Sequence, residues 1–267
     1  MLKDITLGQY FPGDTPIHRL DPRTKILVTL LYIIALFTAK WFVTYGIMLA
    51  FLIIEAAIAH IRAKALLSGL KPLVIIILIT AVLNLFYTRG TPLVSFWIFT
   101  ITREGVQSAV LMAGRIMLLV MGTFLLTYTT SPIMLTDGLE ALLNPLKKLK
   151  VPVHELAMMM SIALRFIPSL IEETDKIMSA QKARGADFDT GNLVQKAKAL
   201  LPILVPLFVS AFRRADELAV AMESRCYHGG EGRTRLRQLR YGAGDAVALI
   251  IAALVLAAVI VLARRGL

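Results

Sequence analysis

Residues 26–59 read ILVTLLYIIALFTAKWFVTYGIMLAFLIIEAAIA, and only Lys40 and Glu55 among them are charged. As one helix, at about 1.5 Å per residue, the stretch would run about 51 Å, against a hydrocarbon core of about 30 Å. It is therefore too long for one straight span. A hairpin turning near Ala39-Lys40-Trp41, with Trp41 at the membrane interface, fits better.

The same reading extends outward. Pro72 to Thr88 is uncharged and gives a third span, with Pro72 at a helix start where its missing N–H costs nothing. Gly105 to Thr130 carries one charge, Arg115, and gives a fourth. Ala246 to Ala263 is uncharged and gives a fifth. The composition agrees. Hydrophobic residues make up 57% of 267 residues, mean hydropathy is +0.71, and a soluble domain would lack the interior to hide them. This excludes a disordered chain, a collagen-like chain and a disulfide scaffold; the one cysteine, Cys226, has no internal partner. The first 25 residues hold no apolar core before Ile26, so the first span is expected to act as its own insertion signal.

The net charge of +11 sits between the apolar runs, which points to membrane topology rather than nucleic acid. With residues 1–25 inside, inside segments hold 23 Lys/Arg and outside segments 5, so the expected orientation is N-terminus in the cytoplasm. The expected organisation is a cytoplasmic segment 1–25, four spans in 26–130, a cytoplasmic helical domain 131–240, and a C-terminal span within 241–267. The fold class is an all-α polytopic membrane protein. The 131–240 stretch carries 16 Lys/Arg and 12 Asp/Glu, yet is rich in Leu, Met, Ile and Val, which suits amphipathic helices. Its longest uncharged run, Ala199 to Phe212, is broken by Pro202 and Pro206.

Catalytic patterns are weak. His154-Glu155 starts like a zinc-protease motif, but Met158 stands where the second histidine would be. No Gly-x-x-x-x-Gly-Lys-Ser/Thr loop occurs, and Gly229-Gly230-Glu231-Gly232-Arg233 reads as a turn. Glu55 and Arg115 are the ionisable residues inside spans, open to reading as an ion path or as snorkelling side chains. A stand-alone ion-coupled carrier and an intramembrane enzyme are thus the alternative readings.

The cytoplasmic stretch says more. Pro168 to Gly185 reads as a helix with Glu172, Glu173 and Asp175 in its first turns, ending Ala183-Arg184-Gly185 with Gly185 as a left-handed cap. A second helix, from about Lys198, ends Ser224-Arg225-Cys226. Ala211, Ala215 and Ala219 form a row of small residues on it, suited to a close helix crossing. Two crossed helices, each tipped by an arginine, would offer two polar contact points to a partner.

The segments Gly8-Gln9-Tyr10-Phe11-Pro12-Gly13-Asp14, His18-Arg19-Leu20-Asp21-Pro22-Arg23-Thr24-Lys25, Thr136-Asp137-Gly138-Leu139-Glu140, Leu143-Asn144-Pro145-Leu146, and Pro152 through Asp175 together resemble one family over essentially the whole chain. It is the transmembrane (T) component of energy-coupling factor transporters, the vitamin importers of prokaryotes. The resemblance implies an L-shaped helical scaffold in the cell membrane, with two crossed coupling helices. It implies as partners two ABC-type ATPases, a substrate-binding S component and the lipid bilayer, and no nucleic acid. It implies no catalysis and no cofactor in this chain, ATP and Mg being held by the ATPases. The family's x-Arg-x coupling motifs fall on Ala183-Arg184-Gly185 and on Ser224-Arg225-Cys226. The second departs from the usual Ala-Arg-Gly at both flanks, and Cys226 withholds the residue that most readily forms a left-handed cap.

Overall fold

The computed structural model describes residues 10–96, 99–186, 188, 192–229 and 238–265. Gly8 and Gln9 of the first motif, and 230–233 of the glycine-rich turn, lie outside the described residues. Among the described residues the α-helices are α1 (Pro22–Thr38), α2 (Phe42–Ile58), α3 (Ala63–Leu70), α4 (Val74–Tyr87), α5 (Arg103–Thr129), α6 (Pro132–Leu143), α7 (Val153–Ala183), α8 (Leu193–Glu223) and α9 (Ala243–Arg265). A short antiparallel pair, β1 (Pro92–Phe96) and β2 (Phe99–Thr102), joins α4 to α5, an element absent from the sequence reading. By their contacts the described residues form two compact units, 10–142 with 238–265, and 143–229.

The expected hairpin is present: α1 and α2 are each 17 residues and meet at Ala39–Trp41. Asp21 caps α1 by accepting from the Arg23 N–H, with Pro22 at the first position. Thr102 caps α5 by accepting from the Gly105 N–H at 3.0 Å. Ala63–Tyr87, Arg103–Thr129, Val153–Ala183 and Ala243–Arg265 are long and apolar enough to cross a membrane, and α2 is a shorter apolar helix. This set departs from the sequence reading at two places: Val153–Ala183 lies in the stretch expected in the cytoplasm, and α1, the expected first span, is not in the set. The chain is a multi-pass membrane protein.

The first unit packs around Tyr32, Leu36, Met48, Leu118, Tyr128 and Val259. Gly122 brings α5 against α1: a Cβ there would lie 2.4 Å from the Tyr32 ring, whose hydroxyl donates to the Leu118 carbonyl at 3.1 Å. Elsewhere large side chains face outward, as with Ile75 at 68% and Leu254 at 63% exposed. In a bilayer such faces meet lipid and need no protein partner.

The N-terminal motif ties three helix ends together. Asp21 donates its N–H to Asp245 Oδ1, and Gly242 donates to Oδ2, both at 2.8 Å, so one carboxylate joins the start of α1 to the start of α9. The Arg23 guanidinium bonds Asp21 at 3.0 and 2.8 Å and stacks 4.0 Å from the Tyr241 ring centre. Lys25 Nζ donates to the carbonyls of His18 and Thr129, the latter ending α5. The Phe11 N–H reaches the Tyr128 carbonyl at 3.0 Å, and His18 Nε2 lies 3.1 Å from the Phe11 carbonyl. Burial pushes the Asp21 carboxyl up, but the hydrogen bonds and charge of Arg23 outweigh this and hold it below the usual carboxylate range.

Two helix boundaries differ from the sequence reading. The helix expected from Pro168 begins at Val153, and Pro168 lies inside α7 with its side chain exposed. Its ring removes one N–H, which costs one bond rather than the helix. The helix expected from about Lys198 begins at Leu193 and runs through Pro202 and Pro206. Here Asn192 and Gln195 form a capping box that fixes an earlier start.

Candidate functional site

The x-Arg-x segments form the ends of α7 and α8. At the first, the Gly185 N–H donates to the Lys182 carbonyl and the Ala186 N–H to Gln181, both at 3.0 Å. At the second, the Cys226 N–H donates to Glu223 at 2.8 Å and the Tyr227 N–H to Met222 at 3.1 Å. These are the two crossed bonds of a Schellman terminus, in the same register at both ends. Gly185 has φ +85° and Cys226 φ +57°. Cysteine thus takes the left-handed conformation that the sequence reading treats as withheld. It does so at the steric cost of a Cβ in that region.

Arg184 and Arg225 each stand directly before the left-handed residue, preceded by Ala183 and Ser224, although α7 ends at Ala183 with Arg184 as its cap and α8 one residue earlier in the motif, at Glu223 with Ser224 as its cap. Arg184, Gly185, Ser224, Arg225 and Cys226 are all exposed, as is Ala183. Both arginines are exposed, and a guanidinium fork in that position is able to bond carboxylate or carbonyl acceptors. The Ser224 hydroxyl donates back to the Val220 carbonyl at 2.8 Å, which tightens the final turn of α8.

The crossing surface is shifted from the expected row. Ala211, Ala215 and Ala219 are exposed, and the shielded row of α8 is the buried Ile203 with the partly buried Leu207, Ser210, Arg214, Leu218 and Met222. Helix α8 packs on α7. At the crossing, Arg214 Nη1 donates to Ser169 Oγ at 2.8 Å while Nη2 bonds Glu173 Oε2. Sequence reading noted Glu173 only as a helix-dipole acid and missed Arg214. The i, i+4 pair Ser169/Glu173 on one face was the available signal.

The ionisable residues of the spans do not form a pair. Arg115 Nε donates to Tyr45 Oη and Nη2 to the Ala39 carbonyl, both at 2.9 Å, so it caps the end of α1. Glu55 borders a separate apolar cavity of about 560 Å³ between α1, α2, α5 and α9, along with Lys25 and Thr129. At the start of α7, His154 and Glu155 follow the N-cap Pro152. Among the described residues no three His, Cys, Asp or Glu side chains converge on a metal-sized site.

A family model described as CbiQ, cobalt transport protein, matches residues 13–236. A protein of Acidaminococcus fermentans, named energy-coupling factor transporter transmembrane protein EcfT, is 58% identical over 247 residues, covering 92% of both chains. Proteins of the same name from Clostridium kluyveri and Bacillus subtilis are 56% and 47% identical. The first covers 99% of this chain and 98% of its own, the second 99% and 100%.

Proposed function

The chain belongs to the CbiQ family and, within it, to the transmembrane components of energy-coupling factor transporters, and from this premise we propose that the ends of α7 and α8 are its docking points for two ABC-type ATPases. The observation that carries this reading is the matched pair of caps. Two helices of unrelated sequence end in one backbone geometry, each presenting an exposed arginine at the same position.

An arginine fork suits the task because it stays charged and bonds carboxylates or carbonyls in a fixed geometry. The cap fixes the backbone that carries each fork, so little loop ordering is left to offset binding. ATP-driven closure of the ATPases moves their grooves, the tips follow, and the long helices carry the motion toward the membrane. A membrane-embedded S component, held by this chain, then reorients and releases a vitamin or related micronutrient into the cytoplasm. The chain performs no bond chemistry in this cycle. Its N-terminus and coupling helices face the cytoplasm, in keeping with the excess of Lys/Arg in those segments.

The test is site-specific photo-crosslinking from Ala183 and Ser224 in membranes of the native host. Adducts with ABC-type ATPase subunits at both positions are expected. Adducts with unrelated proteins, or none at either tip, would overturn the reading.

A further inference from the structure

The Arg214 fork spans two side chains one helical turn apart on the other helix, Ser169 and Glu173. Side-chain exposure is 33% for Arg214 and 23% for Glu173, so the pair is partly shielded from water and salt. Ser169 is itself held, donating to the Phe166 carbonyl at 2.8 Å. Ser169 is therefore fixed relative to its own helix, and Arg214 and Glu173 are held by each other across the crossing.

The position of this pair along the helices is symmetric. Glu173 stands eleven residues before Arg184, and Arg214 stands eleven residues before Arg225. Eleven residues make about three turns and about 16 Å. The two arms from pair to tip are thus of equal length in sequence. On the far side of the pair, prolines interrupt the backbone ladder of both helices: Pro168 in α7, Pro202 and Pro206 in α8. Each arm from pair to tip is free of proline and keeps its ladder intact.

We propose that Arg214, bonded to Glu173 and Ser169, is the pivot of the crossed helices and sets the spacing between the two arginine tips. A flat apolar crossing would let the helices slide or rotate over one another. A charged fork on two acceptors one turn apart allows the angle to open and close while its fulcrum stays put. Arg214 is a positioning residue, acting through Arg184 and Arg225. Its consequence for transport rests on the docking role proposed for the tips, but the spacing itself is a property of this chain alone.

The experiment is a distance measurement between spin labels on the native Cys226, the only cysteine, and on Ser179→Cys, in the full chain in lipid nanodiscs. The expected wild-type result is one narrow distance distribution. Arg214→Met should broaden it, Arg214→Lys should broaden it less, and the exchange Arg214→Glu with Glu173→Arg should narrow it again. In the assembled transporter, Arg214→Met should keep the ATPases bound while transport per ATP hydrolysed falls. An unchanged distribution in Arg214→Met would overturn the pivot, whatever the tips bind. If Arg214→Met does not accumulate in membranes, the exchanged pair decides. A narrow distribution supports the pivot and a broad one overturns it. Loss of ATPases from the tip variants would leave this readout untouched, so the two readings fail separately.

Discussion

Gly185 and Cys226 hold the same place in the same helix terminus, one residue after an exposed arginine, at φ +85° and +57°. Glycine reaches that conformation without strain, whereas an L side chain there costs about 1–2 kcal/mol. Cys226→Gly should therefore stabilise the α8 terminus by about 1 kcal/mol. Hydrogen exchange at the Tyr227 amide, whose bond closes the cap, is the readout. Cys226→Val, with a branched Cβ, should speed exchange there and weaken ATPase binding. Equal exchange in all three proteins would show that the cap does not govern this end.

The two tips should contribute separately. Arg184→Ala and Arg225→Ala should each lower ATPase retention during purification partially, and the double variant should lose it. Each removes a charge-assisted contact worth about 1.5–3 kcal/mol, and the two sites lie at different helix ends. Thermal unfolding of the isolated chain should change little, since both side chains are exposed. A large drop in stability would make the arginines structural instead.

Helix α1 meets α5 at Gly122, with no space for a methyl group beside the Tyr32 ring. That ring is buried and its hydroxyl is bonded to Leu118, so it cannot swing away cheaply. Gly122→Ala should destabilise the chain by about 1–3 kcal/mol through overpacking. Gly122→Ala with Tyr32→Leu should recover part of this. Detergent unfolding curves of the single and double variants give the comparison.

The apolar helices α2, α4, α5 and α9 were legible as nearly charge-free runs bounded by charge, whereas α7, expected in the cytoplasmic stretch, is also long and apolar enough to cross a membrane. The bounds of α7 and α8 were less legible, because Pro168 reads equally as a helix start and as an interior residue. Only the packing around it decides. The tip arginines stood out through their setting in two similar endings. The Arg214–Glu173 bond joins residues 41 apart, and its one local trace is the i, i+4 pair Ser169/Glu173, which does not say which residue of α8 it meets. The alanine row at 211, 215 and 219 is a real pattern, but the packed row lies one residue along. Small spacing alone does not say which face a crossing uses.

Acid should act on the N-terminal clasp. The folded Asp21 carboxyl titrates below its unfolded value, so the bond to Arg23 contributes stability above about pH 4. That contribution falls away as pH drops through the folded value. Asp21→Asn should thus be less stable than wild type at pH 6, and the gap should close in acid. A gap that persists unchanged at pH 3 would remove Asp21 ionisation from the account.

The central claim is that this chain couples ATPases to a membrane partner through Arg184 and Arg225. The most direct measurement is to purify the tagged full chain from its native host in mild detergent and quantify what accompanies it, beside the double arginine variant. Two ABC-type ATPase subunits and one small hydrophobic protein should accompany the wild type. The variant should lose the ATPases and retain the small protein. A wild-type chain that purifies alone, or ATPases that stay bound without either arginine, would contradict it.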